Sequence, residues 1–285
     1  MKKIPVLTAA IILIFASCST APKNPGDVYA LRTQAEDGLK SANKEAGQGR
    51  FEKALTLLTE YKKQAILADD PSLIIRISLS RGNVLFSLGK IDEAYAEWDQ
   101  AIAESLRFKD SELISVSRIF KAKGDLSSGR ASAQTVLDEA IRESANIKKD
   151  AIYIAFSWQV KGLALRVLRS YKEAEDAVKR SLDIHLRDRY LENASYDWYI
   201  IASIRSLAGN NDNALSALEE SIAIDRRIEN SWGLASSYRA MGDVYRKMNR
   251  EADALAAYNR SREIFTAMRH NIEAAEIEER ITGKQ

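Results

Sequence analysis

From about residue 35 to residue 270, apolar positions recur at three- and four-residue spacing, as in Leu85 and Leu88 and then Ala94, Trp98 and Ile102. That spacing places them on one stripe of an α-helix, with charged residues on the opposite face. Short polar strings of similar make-up interrupt the stripes at regular intervals. Gly-Arg-Phe-Glu-Lys-Ala at 49–54 returns as Gly-Lys-Ile-Asp-Glu-Ala at 89–94 and Arg-Ser-Tyr-Lys-Glu-Ala at 169–174. It returns again as Gly-Asn-Asn-Asp-Asn-Ala at 209–214 and Asn-Arg-Glu-Ala-Asp-Ala at 249–254. The closing alanines are Ala54, Ala94, Ala174, Ala214 and Ala254, spaced by 40, 80, 40 and 40 residues. The double gap predicts a further unit near residue 134, where Ala133 stands.

Each unit reads as two helices around a tight turn. Small residues come twelve positions before the alanine (Ala42, Gly82, Gly162, Ala202, Gly242) and again after it (Ala101, Ala140, Ser181, Ser221, Ser261). Small side chains at both places let the two backbones approach at their crossing. Gly49, Gly89 and Gly209 suit the left-handed cap that ends a helix. Asp92 and Glu173 suit the positive end of the helix that follows. The third unit departs from the pattern. Counting back from Ala133 puts Lys121 in the small position, and Lys123 to Arg130 read as a longer polar turn, arising either by drift or as a kink or docking loop. Tyr61 stands where the first unit should have its second alanine.

These residues resemble the tetratricopeptide repeat. Trp158, Gly162, Leu165, Tyr171 and Ala174 follow that family's order of aromatic, small, apolar, turn and alanine positions. So do Trp198, Ala202, Gly209 and Ala214, and then Tyr238, Gly242, Tyr245 and Ala254. The resemblance implies an all-α, right-handed superhelical solenoid of about six such helix pairs. Here the period is 40 residues rather than the family's usual 34 or so, which lengthens each pair by about a turn and a half. It also implies a concave face lined by the first helix of each pair. In that register the face carries Asn43, Arg76, Asn83, Phe86 and Arg118, then Gln159, Leu163 and Arg166. Tyr196, Tyr199 and Ser203 follow, and then Arg239, Asp243 and Arg246. Arginines and tyrosines suit carboxylates and extended peptides. Asn43 and Asn83 are similar to asparagines with which some members hold a peptide carboxylate, though matching lysines are absent.

The first residues read differently. Lys2 and Lys3 precede an apolar run from Ile4 to Ala16, the anatomy of an export signal, too short for an ordinary membrane span. Phe15-Ala16-Ser17-Cys18 resembles the lipobox of bacterial lipoproteins, with Phe15 in place of the usual Leu. The resemblance implies a signal peptide over 1–17 and a lipidated Cys18 on a tether through residue 27. The repeat array then spans 28–270, and a capping helix and tail span 271–285. Ser19 is similar to the sorting residue of lipoproteins placed in the outer membrane facing the periplasm.

Composition narrows the function. Three of four prolines lie in the first 25 residues, so the body is nearly free of helix breakers. Lys and Arg number 42 against 40 acidic residues, and residues 1–17 hold two of the lysines. A neutral body with mixed charges makes no electrostatic case for nucleic acid. The single cysteine, Cys18, is taken by lipid, and the two histidines, His185 and His270, lie far apart. No metal-ligand spacing, phosphate-binding glycine loop or nucleophile–base pair stands out, so neither a catalytic residue nor a cofactor is expected. Trp98, Trp158 and Trp198 fall on core positions, while Trp232 has no assigned role. The expectation is a protein- or peptide-binding scaffold anchored in the envelope, able to form homo-oligomers. The alternatives are an accessory lipoprotein that holds a solute for a transporter, or a surface adhesin.

Overall fold

The computed structural model describes residues 30–283. The described residues form thirteen α-helices and no strand. Six consecutive pairs are α1 (Ala30–Gly47) with α2 (Phe51–Leu67), α3 (Pro71–Ser87) with α4 (Ile91–Phe108), α5 (Ser111–Ser128) with α6 (Ala133–Ser144), α7 (Ala151–Val167) with α8 (Tyr171–Arg187), α9 (Leu191–Leu207) with α10 (Asn211–Ile228), and α11 (Ser231–Lys247) with α12 (Glu251–Ala267). α13 (Asn271–Thr282) follows, packed on α12. The all-α solenoid of paired helices on a 40-residue period is as the sequence implies. Its core is a succession of clusters handed from pair to pair rather than one centre, as expected where each unit buries only its neighbours' faces.

The period has a simple origin. A residue with left-handed backbone stands at 49, 69, 89, 109 and 129, then at 169, 189, 209, 229, 249 and 269. The spacing is twenty throughout, with one omission at 149. Most of these turns close alike: the amide after the left-handed residue donates to the carbonyl five residues back, as in Lys90 to Leu85 (2.9 Å), Tyr190 to His185 (2.8 Å) and Arg250 to Tyr245 (2.9 Å). This bond satisfies carbonyls that a helix end leaves open. A helix of seventeen or so residues plus a three-residue turn makes twenty, and two make a repeat. Gly49, Gly89, Gly129 and Gly209 adopt the conformation without a Cβ penalty; Asp69, Lys109, Arg169, Arg189, Glu229, Asn249 and Arg269 adopt it at a cost.

Small residues sit where pairs cross. A Cβ at Gly82 would lie 2.2 Å from the Trp98 ring, one at Gly162 2.3 Å from Val178, and one at Gly242 2.5 Å from the Tyr258 ring. In the third pair the close-approach residue is Ala122, not Lys121. Ala122 is buried and keeps the 40-residue spacing between Gly82 and Gly162, whereas Lys121 points outward to Asp99. The count from Ala133 misleads by one because α6 begins at that alanine, while α4 begins three residues before Ala94. Lys123 to Ser128 are not a turn either; α5 runs through them. Gly124 keeps room there for Trp98, since a Cβ at this position would lie 2.3 Å from the indole ring. The Ser127 and Ser128 hydroxyls bond back to the carbonyls four residues earlier. The shortened α6 leaves a six-residue connection to α7. Glu112 replaces the missing cap there: its Oε1 accepts from the amides of Lys148, Lys149 and Asp150 at 3.2, 2.9 and 3.2 Å.

Candidate functional site

First helices of neighbouring pairs touch one another, α3 with α5, α5 with α7, α7 with α9 and α9 with α11. They therefore line the inner side of the coil. The coil is wound tightly enough for its early and late turns to meet. The turn after α1 packs on the last repeat: the His270 Nε2–H donates to the Gly49 carbonyl at 2.6 Å. Phe51 meets Trp232 edge to face at 4.8 Å, and Trp232 in turn meets His270 at 5.0 Å and Phe265 at 5.4 Å. This seam gives Trp232 the role its sequence position left blank. It also encloses part of the inner face.

Two cavities result. One, of about 390 Å³, takes walls from five first helices, α1, α3, α5, α7 and α9, including Asn43, Arg76, Asn83, Phe120, Tyr153 and Glu192. The other, of about 250 Å³, lies between α9, α10 and α11 and is lined by Tyr196, Tyr199, Asp225, Trp232 and Arg239 among others. Tyr196 and Tyr199 are stacked, with ring centres 6.1 Å apart. Between the cavities Lys123 lies over the rings of Phe156 (5.5 Å) and Tyr196 (5.2 Å). Burial pushes its ammonium down to about 8, although Asp197 pulls the other way. Phe86 and Asn83 share a smaller recess with Lys123.

The residues expected on the concave face thus divide. Asn43, Arg76, Asn83, Phe86, Tyr196, Tyr199 and Arg239 come together on the inner cavities. Arg118 does not join them: it pairs with Glu143 at 3.1 Å, beside Ser115, which donates to the same carboxylate at 2.6 Å. Correcting the count by one residue puts Ile119, which is fully buried, in its place; the α5 residue that faces the inner recesses is Lys123, one position after Ala122 as Asn83 is one after Gly82. Gln159 and Leu163 are buried in the core. Gln159 donates to Asp197 Oδ1 at 2.7 Å. Arg166 is held by Ser203 at 3.0 Å. Asp243 accepts from the Tyr258 hydroxyl (2.7 Å) and from Arg280 (2.8 Å), and Arg246 donates to the Arg280 carbonyl at 2.6 Å. Both fasten α13 to the array. Cys18 and residues 1–27 lie outside the described residues.

His185 belongs to a buried network. Its Nδ1 lies 2.7 Å from Asp197 Oδ2 and 3.4 Å from Ser181 Oγ, and all three residues are fully buried. Serine and carboxylate converge on the same ring nitrogen, and Nε2 has no partner. A proton relay needs them on opposite nitrogens, so this constellation braces α8 against α9. Among the described residues no group of three or more His, Cys, Asp or Glu is placed to hold a metal ion, and no helix is long and apolar enough to cross a membrane.

Comparison with known proteins agrees with this geometry. Residues 192–267 match the tetratricopeptide-repeat family. No curated protein gives a significant sequence match. Among solved structures the chain is similar to a Rap protein complexed with competence and sporulation factor, at 15% identity and TM-score 0.60, over 88% of this chain and 74% of that one. It is similar to BtubC from P. vanneervenii at 15% identity and TM-score 0.52, over 84% and 92%. It is also similar to PilW, a type IV pilus biogenesis factor, at 14% identity and TM-score 0.50, over 85% and 97%. At these identities the likeness is one of fold. Residues 192–267 are thus similar to tetratricopeptide repeats, and the described residues form an all-α solenoid of paired helices on a 40-residue period.

Proposed function

We propose that this chain is a non-catalytic binding scaffold of the cell envelope, which holds a segment of a partner protein or a peptide on the inner face of its coil. The observation that carries this reading is the convergence of polar and aromatic side chains from five successive first helices on one concave surface. A Rap protein of similar fold is complexed with competence and sporulation factor, which supports ligand binding by this architecture. Cavities of about 390 and 250 Å³ suit side chains and short extended segments rather than a globular domain. Lipidation at Cys18 would place the array at a membrane, since several acyl chains anchor firmly.

The seam supports a second reading, an accessory lipoprotein that keeps a small solute for a transporter, because it encloses what would otherwise be an open groove. Affinity capture from detergent-solubilised membranes of the native organism separates the two. A reproducible protein partner, with affinity lowered at least about tenfold by Lys123→Met or Arg76→Ala, is expected of the scaffold. A partner bound equally well by both variants would remove the inner face from the proposal. A co-purifying small molecule without any protein would favour the transport reading. Cys18→Ala should release the protein from membranes, and continued membrane association would overturn the anchor.

A further inference from the structure

Asp225, on α10, is fully buried, yet only half satisfied. Its Oδ1 accepts from the Asn230 amide at 2.7 Å, while Oδ2 has no hydrogen-bond partner. Oδ2 lies against the bare side of Gly233, where a Cβ would stand 2.4 Å away. Both residues belong to the wall of the 250 Å³ cavity. A buried carboxylate oxygen without a donor is costly, and such groups are normally paired. The protein's own cation does not supply the pairing: Arg239 lines the same cavity, yet Oδ2 receives no donor from it. Burial accordingly pushes the Asp225 carboxyl up to about 6, with the neighbouring Ser195 hydroxyl and the Asn230 amide offsetting only part of the cost.

The surroundings are those a cation seeks. Tyr196, Tyr199 and Trp232 provide aromatic rings, whose faces attract positive charge. Ser195, Ser221 and Ser237 provide hydroxyl oxygens. Glu192, from α9 and on the wall of the larger cavity, is held above the usual carboxylate range, chiefly by burial and then by Asp225, with Lys44 acting the other way. The seam brings the turn after α1 over this region: a Cβ at Gly47 would touch both Glu192 and Asn230, at 3.4 and 3.7 Å. One buried carboxylate, aromatic faces and hydroxyl acceptors describe a pocket for N–H donors carrying positive charge.

We propose that the cavity between α9, α10 and α11 is a recognition site for a primary ammonium or guanidinium group, which seats among Tyr196, Tyr199 and Trp232 and pairs with Asp225. The group comes either from a free small amine or from a lysine or arginine side chain of the bound segment, so the site deepens the inner-face reading above and rests on it. The α11 N-terminal turn is built around it: Asn230 caps that helix by accepting from the Gly233 amide at 3.0 Å and holds Asp225 with its other end.

The test is titration calorimetry on the full chain at about pH 7, where a carboxyl near 6 is ionised. The probes are putrescine, Nα-acetyl-lysine methylamide and its uncharged norleucine counterpart. Binding of at least one cation, at least about tenfold tighter than the norleucine probe, is expected. Preference for putrescine assigns a free amine; preference for the blocked lysine assigns a side chain. Asp225→Asn keeps the Asn230 bond and should weaken the cation at least about tenfold. Arg239→Gln removes a like charge and should tighten it. Tyr199→Leu, which leaves Asp225 untouched, should weaken it severalfold and serves if Asp225→Asn does not fold. Failure of both cations to bind more tightly than the norleucine probe, or undiminished cation binding in Asp225→Asn, would overturn the proposal. Partner capture that survives such a failure leaves the scaffold reading standing, because it depends on Lys123 and Arg76 instead.

Discussion

Trp98 and Trp232 illustrate two ways of placing a tryptophan in this molecule. Trp98 is almost fully buried between Gly82 of its own pair and Gly124 of the next, both within 26 residues of it in the chain. Its socket repeats with the period: Gly242 makes room in the same manner for Tyr258. Trp232 is only half buried, and its socket includes Phe51, 181 residues away, as well as Phe265 and His270. The first contact forms as soon as two neighbouring units fold. The second forms only after all six pairs have stacked and their small rotations have added up. An array of this kind normally couples nearest neighbours alone; the seam adds a long-range term whose loop-closure cost grows only slowly with chain length.

The largest effect should fall on the local contact. Trp98→Ala empties a socket that two glycines were shaped to fit, and should cost about 3–5 kcal/mol, read from denaturant unfolding. A loss as small as that of a surface change would mean that the pair-to-pair core is not where stability resides. Trp232→Ala should cost less, about 1–3 kcal/mol, but its signature differs. The radius of gyration by small-angle X-ray scattering should rise, and amide exchange should quicken in α1 and α13 while α4 stays protected. An unchanged radius of gyration would show that the ends are held together by something other than the seam.

Two buried aspartates sharpen the same contrast. Asp197 is satisfied by His185 and Gln159, whereas Asp225 next to the seam has a free oxygen. Its carboxyl is raised from 3.8 to about 6, so the folded state holds a proton that the unfolded state has already released. The chain should therefore lose stability as pH rises from about 4 to about 6, by roughly 3 kcal/mol from this group alone. Asp225→Asn should raise the melting temperature near neutral pH and leave it unchanged near pH 4, at about which the native carboxyl is protonated and the unfolded one largely so. A melting temperature equally shifted at both pH values would assign the effect to packing.

The smallest effect concerns the turns. Arg169→Gly and Asn249→Gly relieve left-handed backbone at positions outside the helices, each by about 0.5–1 kcal/mol. Because these turns are independent, the gains should add in the double variant. Either substitution proving destabilising would mean that the side chain contributes more through its contacts than its backbone conformation costs.

The paired-helix architecture, the 40-residue period and the places where helices cross are legible in the chain alone, because they depend on neighbours within one or two units. Gly82, Gly162 and Gly242 stand out for that reason. So do the glycine turns at 49, 89 and 209, though not the same turns built on Arg169, Arg189 or Glu229, where no residue type announces a left-handed backbone. The third pair misleads because its second helix starts late. One alanine then displaces the register by a residue, which hides Lys123, the counterpart of Asn83 one position after the small residue, and counts Arg118 where the buried Ile119 belongs. Which inner-face residues remain free is a matter of packing across units. Gln159 is drawn into the Asp197 network, and Asp243 and Arg246 into the α13 cap, by partners 34 to 38 residues away. Packing also brings Gly49 to His270 and places Asp225 in the wall of a half-open cavity. Those outcomes depend on the accumulated winding of the whole array, a sum of small crossing angles that no local pattern records.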